Sequence, residues 1–386
     1  LLVSSSPEGA AGFIWAVQVV DAFSVKDLRI PVSGGPQEKR HLFLTGPNGS
    51  GKSSILRGLY RDLAEELPPA VYVPWKASEE DRQGRFRTEP VETHPPSPPH
   101  ARGLGKDSAD YGLAYNSASR TTSFNSADGP RQINWALRLT RDTDTAEVLQ
   151  QFLINKKTDL LFARSEGDQA AGQKLDAWFQ RTTRALAKVL NVRDVDFVID
   201  RPSYEVSLSL DGRRSPLQAL PDGYGSILRL WADLALRQEA EDHPIWFCII
   251  DEPELHLHPA LEERVMPFLL EAFENTQFFV ATHSPAVISS VDGATVYDLG
   301  LRDAVNSEDL RGTRYGTLMK EHFGIESDFD LKSTEELRRL QELRLLKPAP
   351  DSDEWKEMKT IADRLSGRSH AMAMEVAYAL ELERPA

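Results

Sequence analysis

Cysteine is nearly missing from this chain of 386 residues, with Cys248 the only one. A lone thiol cannot form an intramolecular disulfide or supply a Cys-based zinc site, so disulfide-stapled and zinc-finger architectures are excluded. Long apolar runs are missing too. No stretch approaches the ~18 consecutive apolar residues that span a bilayer. The opening LLVSSSPEGAAGF has neither a basic leading region nor an adequate apolar segment, which argues against a signal peptide. Its first residue is not Met, as expected of a processed or trimmed start. Basic residues are outnumbered, 45 Lys plus Arg against 59 Asp plus Glu, for a formal charge of −14. That balance excludes a protein that coats nucleic acid by overall positive charge, while a local basic groove stays open. The expectation is a reduced, cytoplasmic chain without membrane association, long enough for one large domain or two modest ones.

What is present is an alternation of strand and helix signals. Residues 13–31 read as two early strands, and 41–46 (HLFLTG) as a buried strand ending in Gly. In 53–67, Ile55, Leu56, Leu59, Leu63 and Leu67 have helical spacing until Pro68 and Pro69 stop it; 71–75 (VYVPW) reads as another strand. From Lys76 to Pro130, Pro-rich and Ser/Asn/Thr-rich stretches predict a long loop or partly disordered insertion that cannot build a packed core. Arg82, Arg85, Arg87 and Arg102 beside Phe86 have the chemistry for phosphate contact, but the acids interspersed with them favour a solvated loop.

Helical periodicity returns at 146–162 and 174–190. Strands follow at 194–200 and 204–210, with Asp211-Gly212 as a turn, then a helix over about 223–240. Residues 245–251 (IWFCIID) form the most apolar strand and hold Cys248 as a core thiol. Further strands are expected at 276–284 and 295–299. Beyond about 312 the chain reads as helical, with helices near 333–346 and 354–382. Ser333 and Glu336 suggest a capping box, and Leu337, Leu340, Leu343 and Leu346 a buried face.

Two motifs carry chemistry. Gly46-Pro47-Asn48-Gly49-Ser50-Gly51-Lys52-Ser53, followed by Ser54, fits the P-loop pattern with a strand before it and a helix after it. Its glycines let successive N–H groups and a helix N-terminus face phosphate oxygens, Lys52 reaches the β- and γ-phosphates, and the Ser53 hydroxyl suits Mg²⁺. The second motif is the apolar strand that delivers Asp251 and Glu252 at its carboxyl end, where open α/β sheets place ligands. An acid pair there can hold the metal through Asp251 and polarise an attacking water through Glu252.

Taken together, Gly46–Ser53 and Ile249-Ile250-Asp251-Glu252-Pro253-Glu254-Leu255-His256-Leu257-His258-Pro259 resemble the ATP-binding-cassette (ABC) ATPases of the SMC, RecF and OLD lineage. The wording IDEPELHLHP is most similar to the OLD-like and PtuA-like ATPases of bacterial anti-phage systems, Septu- or retron-associated and without a Toprim domain. The resemblance implies an α/β fold, an ABC-type P-loop ATPase head with a mixed sheet and flanking helices, an inserted helical lobe and a helical C-terminal tail. It also implies roles. Thr282-His283-Ser284-Pro285 is similar to the family's switch motif, with His283 on the γ-phosphate. Leu220-Pro221-Asp222-Gly223-Tyr224-Gly225-Ser226 resembles the signature, which places Asp222 and Gly223 against nucleotide held by a second copy. Here Pro221 replaces the family's Ser, removing a hydroxyl and an N–H donor. His258 falls at the D-loop position, and Gln132 is the candidate for the glutamine that meets the metal along with Ser53 and Asp251.

The expected division is an ATPase lobe with the P-loop (1–75), a loop-rich insertion (76–131), a helical lobe (132–195), a core with the signature, Walker B strand and switch His (196–311), and an assembly tail (312–386). Asp351-Ser352-Asp353 has the letters of a nuclease acid pair but reads as a loop or helix cap, and the long heptads of SMC arms are missing. The resulting expectation is an ATP- and Mg²⁺-dependent ATPase, dimeric or larger through an ATP sandwich. It would control a separately encoded nuclease or toxin in answer to a nucleic-acid or phage-derived trigger. A RecF- or SMC-like repair ATPase and a non-hydrolysing, ATP-gated assembly protein are the alternatives.

Overall fold

The computed structural model describes residues 13–22, 25–35, 37–65, 91–94, 111–118, 124–133, 135, 148–240, 243–313, 315–323 and 329–381. The strand expected at 71–75, the arginines around Phe86 and the Leu67-Pro68-Pro69 helix stop lie outside these residues. The chain forms two compact units, Leu1–Leu318 and Met319–Ala386. No helix among the described residues is long and apolar enough to cross a membrane.

The first unit opens with β1 (Ala16–Ala22), β2 (Val25–Pro31) and β3 (His41–Thr45), then α1 (Lys52–Glu65), β4 (Val91–His94) and β5 (Tyr111–Asn116). Helices α2 (Leu149–Glu166) and α3 (Gln169–Leu190) precede the hairpin strands β6 (Val195–Ile199), β7 (Val206–Leu210) and β8 (Arg213–Pro216). The chain continues through α4 (Asp222–Ala240), β9 (Ile245–Asp251), α5 (Pro259–Ala272), β10 (Thr276–Ala281), α6 (Pro285–Ser289), β11 (Ala294–Asp298), β12 (Asp303–Asn306) and α7 (Tyr315–Phe323).

The central sheet has the order β12-β11-β3-β10-β9-β5. Its strands run parallel except β12, which is antiparallel to β11 and makes the sheet mixed. All seven residues of β9 are buried, as are all of β3, β10 and β11, which is why these segments read as mostly apolar stretches without a polar face. On one face, α1 sets Ile55, Leu56, Leu59 and Leu63 into a core with Val17 and Val19 of β1, Ile30 of β2, Phe247 and Ile249 of β9, and Phe279 of β10. Each fully buried Leu or Ile contributes roughly 1.5–3 kcal/mol. That packing clamps the helix behind the P-loop. Two smaller antiparallel sheets, β2-β1-β4 and β6-β7-β8, complete the unit. β8 and β12 had no signal in the sequence; both are short, half-exposed edge strands.

The stretch expected to lack a packed core is corrected at two places. Val91–His94 pairs with β1, and Tyr111–Asn116 is an edge strand of the central sheet, parallel to β9. Composition hid the second strand because its inward positions are small. A Cβ on Gly112 would lie 2.5 Å from the Trp246 indole, so the ring occupies the volume a larger residue would need. Tyr111 and Tyr115 turn to the other face, where the Tyr111 hydroxyl donates to the Leu63 carbonyl (2.8 Å) and the Tyr115 ring meets Tyr60 at 5.0 Å.

The second unit holds α8 (Leu331–Leu345), α9 (Asp353–Ser366) and α10 (His370–Glu381) around Leu337, Leu340, Leu343, Ile361, Leu365, Met372, Val376 and Ala379. Three expectations change. The cap of α8 is Asp330, which accepts the Ser333 amide at 3.0 Å, because the helix starts two residues before Ser333. Glu336 instead pairs with Arg364 (3.0 Å) and Arg368 (3.2 Å). Leu346, just past the helix end, is 66% exposed and so leaves the buried face. The helix expected over 354–382 breaks after Gly367, and the Ser369 hydroxyl accepts the Met372 amide to start α10. Ser352 caps α9 by accepting the Trp355 amide, in line with a capping role for Asp351-Ser352-Asp353.

Candidate functional site

Parallel pairing puts the carboxyl ends of β3, β10 and β9 side by side, with β10 in the middle. The P-loop leaves β3, Asp251 ends β9, and Thr282-His283-Ser284 follows β10, so the three motifs converge although about 200 residues separate the first from the second.

The P-loop has its required backbone. Gly46, Gly49 and Gly51 have φ of 126°, 79° and 101°, in the region that L-residues with a Cβ avoid. Gly46 is also hemmed in: a Cβ there would meet the Gly300 amide at 3.2 Å, in the turn after β11. Asp298 builds that turn by accepting the Gly300 and Leu301 amides at 2.7 and 3.0 Å. The Lys52 ammonium folds over its own loop, donating to the Gly46 carbonyl (2.8 Å) and the Pro47 carbonyl (3.0 Å). Burial pulls its pKa down, against the opposing pull of Glu252, Asp251, Asp298 and Glu254. The Ser53 hydroxyl donates to Asp251 Oδ1 at 3.1 Å.

The acid side is equally built. Glu252 has φ of 53°, a left-handed conformation costing a residue with a Cβ about 1–3 kcal/mol. Its amide donates to the Ala281 carbonyl (2.9 Å), extending the β9–β10 ladder by one bond. Its carboxylate lies 3.9 Å from His283 Nε2, beyond direct hydrogen-bond length. Burial, with the Lys52 charge, holds the His283 pKa below the usual value for imidazole, against the pull of Asp251. The shift favours the neutral imidazole.

Glu254, whose part in the site the sequence reading missed, ties the two loops together. One of its oxygens accepts the Thr282 hydroxyl and the His283 amide, both at 2.7 Å. A carboxylate three positions after a Walker-type Asp is a signal that could have found it. Ser284 caps α6 by accepting the Val287 amide, and its hydroxyl donates to Glu262 of α5.

The other expected residues fall into place unevenly. Pro221, Asp222 and Gly223 sit at the exposed start of α4, where the Gly225 amide donates to the Pro221 carbonyl (2.9 Å). A Cβ on Gly223 would come within 3.3 Å of the His256 carbonyl, so this turn packs on the loop after β9 in the same chain. His258 is the N-cap of α5, accepting the Ala260 amide through Nδ1. Asn48 and Ser54 flank the P-loop's turns, Asn48 exposed and Ser54 half-buried in α1. Gln132 is exposed, and its surroundings face α2: the Arg131 amide and carbonyl bond the Asn155 side chain (3.1 and 2.7 Å), and Gly129 accepts from Gln151. These contacts do not bring it to Ser53 or Asp251. Asn116 ends β5 on the same side of the sheet, paired in register with Ile250 and donating to Asp233 of α4 (3.2 Å).

The residues fit Mg²⁺ and a nucleoside triphosphate. The glycine geometry opens N–H groups to phosphate, Lys52 supplies a charge that needs only to leave two loop carbonyls, and Ser53 with Asp251 offers the two hard oxygens that Mg²⁺ takes alongside phosphate oxygens. Fold and site together define the class as a P-loop ATPase head.

Residues 73–289, more than half of the chain, match the family described as "AAA domain, putative AbiEii toxin, Type IV TA system", and the chain belongs to it. The match begins downstream of the P-loop, so Gly46–Ser53 is an observation independent of it. Among curated proteins, the chain is 34% identical over 130 residues to the "Retron Ec83 probable ATPase" of Escherichia coli, covering 29% of this chain and 22% of that protein. It is 23% identical over 398 residues to the "Septu protein PtuA" of Bacillus mycoides (strain KBAB4), covering 93% of this chain and 51% of that one. The chain thus spans about half or less of the length of these relatives. Among solved structures, the SMC head domain from Thermotoga maritima superposes with a TM-score of 0.39 at 16% identity, over 76% of this chain and 95% of that one.

Proposed function

We propose that this chain is an ABC-type ATPase serving as sensor and scaffold in a bacterial anti-phage defence complex. The observation that carries the reading is the meeting of Ser53, Asp251, Glu252 and His283 at the ends of neighbouring parallel strands. Bound Mg²⁺ supplies neutralisation of phosphate charge. The chain supplies the rest. Lys52 exchanges the Gly46 and Pro47 carbonyls for phosphate oxygens, and the P-loop amides cradle the triphosphate. Glu252 orients the attacking water and takes its proton, while His283 reads the γ-phosphate. Asp222 and Gly223, on the exposed N-terminus of α4, close on nucleotide held by a second copy, giving a dimer or higher oligomer.

Likeness to a retron ATPase and to a Septu protein supports the defence assignment, with nucleotide state holding or releasing a separately encoded nuclease or toxin. Plating phage on cells that carry this gene with its neighbours tests it. Protection should disappear with Lys52→Ala and with deletion of the effector gene. Protection by this chain alone, or protection indifferent to Lys52→Ala, would sink the proposal.

One observation favours a second reading. Pro221 caps α4 through its carbonyl alone, with no hydroxyl to offer a phosphate across a dimer. ATP-driven assembly without turnover would follow. Purified protein that binds ATP and dimerises, yet releases no phosphate with partner or DNA present, selects it.

A further inference from the structure

Glu254 is the third acid of the Asp251-Glu252-Pro253-Glu254 run, and the proposed chemistry leaves it unused. The residue is half-buried with its carboxylate turned inward, and that desolvation pushes its carboxyl pKa up despite the donors it receives. Those donors concentrate on one oxygen: Oε1 takes the Thr282 hydroxyl and the His283 amide, while buried Oε2 has no hydrogen-bond partner. An acid held at this desolvation cost with half its acceptor capacity unused is not explained by solubility or core packing. The same Thr282 hydroxyl accepts the Ser284 amide at 3.0 Å, so Glu254, Thr282 and Ser284 form a chain of bonds around His283.

Backbone geometry explains why such a brace is needed. Glu252 and His256 both have positive φ, and the turn between them is closed by amides bonding within Glu252–Leu257. The loop after β10 leaves its strand at Thr282 and enters a helix of five residues. Two short loops that must keep Glu252 and His283 3.9 Å apart have few restraints of their own.

We propose that Glu254 is the positioning residue of the switch loop. It sets the distance between Glu252 and His283 by gripping the Thr282 hydroxyl and the His283 amide with one carboxylate oxygen. This deepens the ATPase reading and rests on it for the meaning of His283. The geometric claim, that Glu254 fixes the His283 ring, stands apart. Gln in place of Glu preserves the mechanism, since its carbonyl oxygen accepts both donors and its amide nitrogen takes the place of the unpartnered Oε2.

The test uses the full chain with four variants, Glu254→Ala, Glu254→Gln, His283→Ala and the Glu254→Ala/His283→Ala double, each checked for folding by thermal melting. In nucleotide-free protein, the His283 ring signal is assigned by its loss in His283→Ala. It should be single and sharp in wild type and Glu254→Gln, and shifted or broadened in Glu254→Ala. An unmoved ring signal in Glu254→Ala overturns the proposal, whatever the protein hydrolyses. With Mg²⁺ and ATP, Glu254→Ala should lower kcat by about 10- to 100-fold, leave KM within about threefold, and be rescued by Gln. The double variant should be no worse than His283→Ala. Equal losses in affinity and kcat, additive losses, or no rescue by Gln would reduce Glu254 to a structural residue. If wild type neither binds nor hydrolyses ATP, the ATPase reading fails while the ring signal still decides the positioning claim. Should Glu254→Ala not fold, Thr282→Val removes one of the two donors and carries the same comparison.

Discussion

Ser53 and Asp251 are 198 positions apart in sequence, yet the serine hydroxyl donates to the aspartate Oδ1 across 3.1 Å. This bond joins the helix behind the P-loop to the end of β9, so the hydroxyl and the acid suited to Mg²⁺ are already in place. Organisation before binding spares the protein the cost of ordering them when nucleotide arrives.

Lys52 is the most sensitive point for binding. Its ammonium closes the loop on the Gly46 and Pro47 carbonyls, and its replacement removes both that closure and the charge for phosphate. Lys52→Ala should weaken Mg²⁺-ATP binding by roughly 100-fold or more, which isothermal titration calorimetry would measure. Affinity within threefold of wild type would take Lys52 out of the site.

Glu252 separates binding from chemistry. Glu252→Gln keeps the size and the left-handed backbone but removes the base, so turnover should fall by roughly 100-fold or more. ATP should stay bound, and the dimer should persist in light scattering after gel filtration. Wild-type hydrolysis by this variant would assign the base elsewhere.

Gly112 tests the edge strand. A methyl group there collides with the Trp246 ring at 2.5 Å, so Gly112→Ala should destabilise the first unit by about 1–3 kcal/mol in urea unfolding. Adding Trp246→Leu should recover part of the loss. A neutral Gly112→Ala would mean that β5 does not lie against β9 as described.

His41 gives the fold a pH dependence. It is buried and accepts the Phe278 amide through Nδ1, and burial, with the Lys39 and Arg40 charges, pushes its pKa down from 6.5 to about 3. The folded protein keeps it neutral while the unfolded chain takes up a proton below 6.5, so stability is full above that pH and declines as pH falls toward 3. At pH 5 the loss should be about 1–2 kcal/mol. His41→Asn keeps an acceptor for the Phe278 amide and does not titrate. Its unfolding free energy between pH 7 and 5 should therefore fall less steeply than that of wild type; equal slopes would count against His41.

Legibility followed local chemistry. The strands β3, β9, β10 and β11 could be read because both faces of each are covered, although the strand expected over 276–284 ends at Ala281, where the switch loop begins. The helices α1 and α4 could be read from their spacing. β5 could not, because Gly112 and Ala114 owe their smallness to Trp246 and the rest of the sheet. The cap of α8 was misplaced by three residues because Ser333 and Asp330 are both good caps, and only the helix start chooses between them. Gln132 was the nearest candidate glutamine after the insertion; its neighbours Gly129 and Arg131 bond side chains of α2, and position in sequence alone does not decide what the Gln132 side chain meets.

The sequence by itself determined the phosphate loop, the acid pair and the histidine, because each is a local pattern whose backbone demands are written in neighbouring residues. Three glycines make the loop, and an apolar strand delivers Asp251 and Glu252. What only the tertiary structure decided is how these pieces meet. Inserting β10 between β3 and β9 sets His283 beside Glu252, and Glu254 reaches across to hold it there. Strand order and cross-loop hydrogen bonds depend on residues far apart in the chain, and no local period or propensity encodes them.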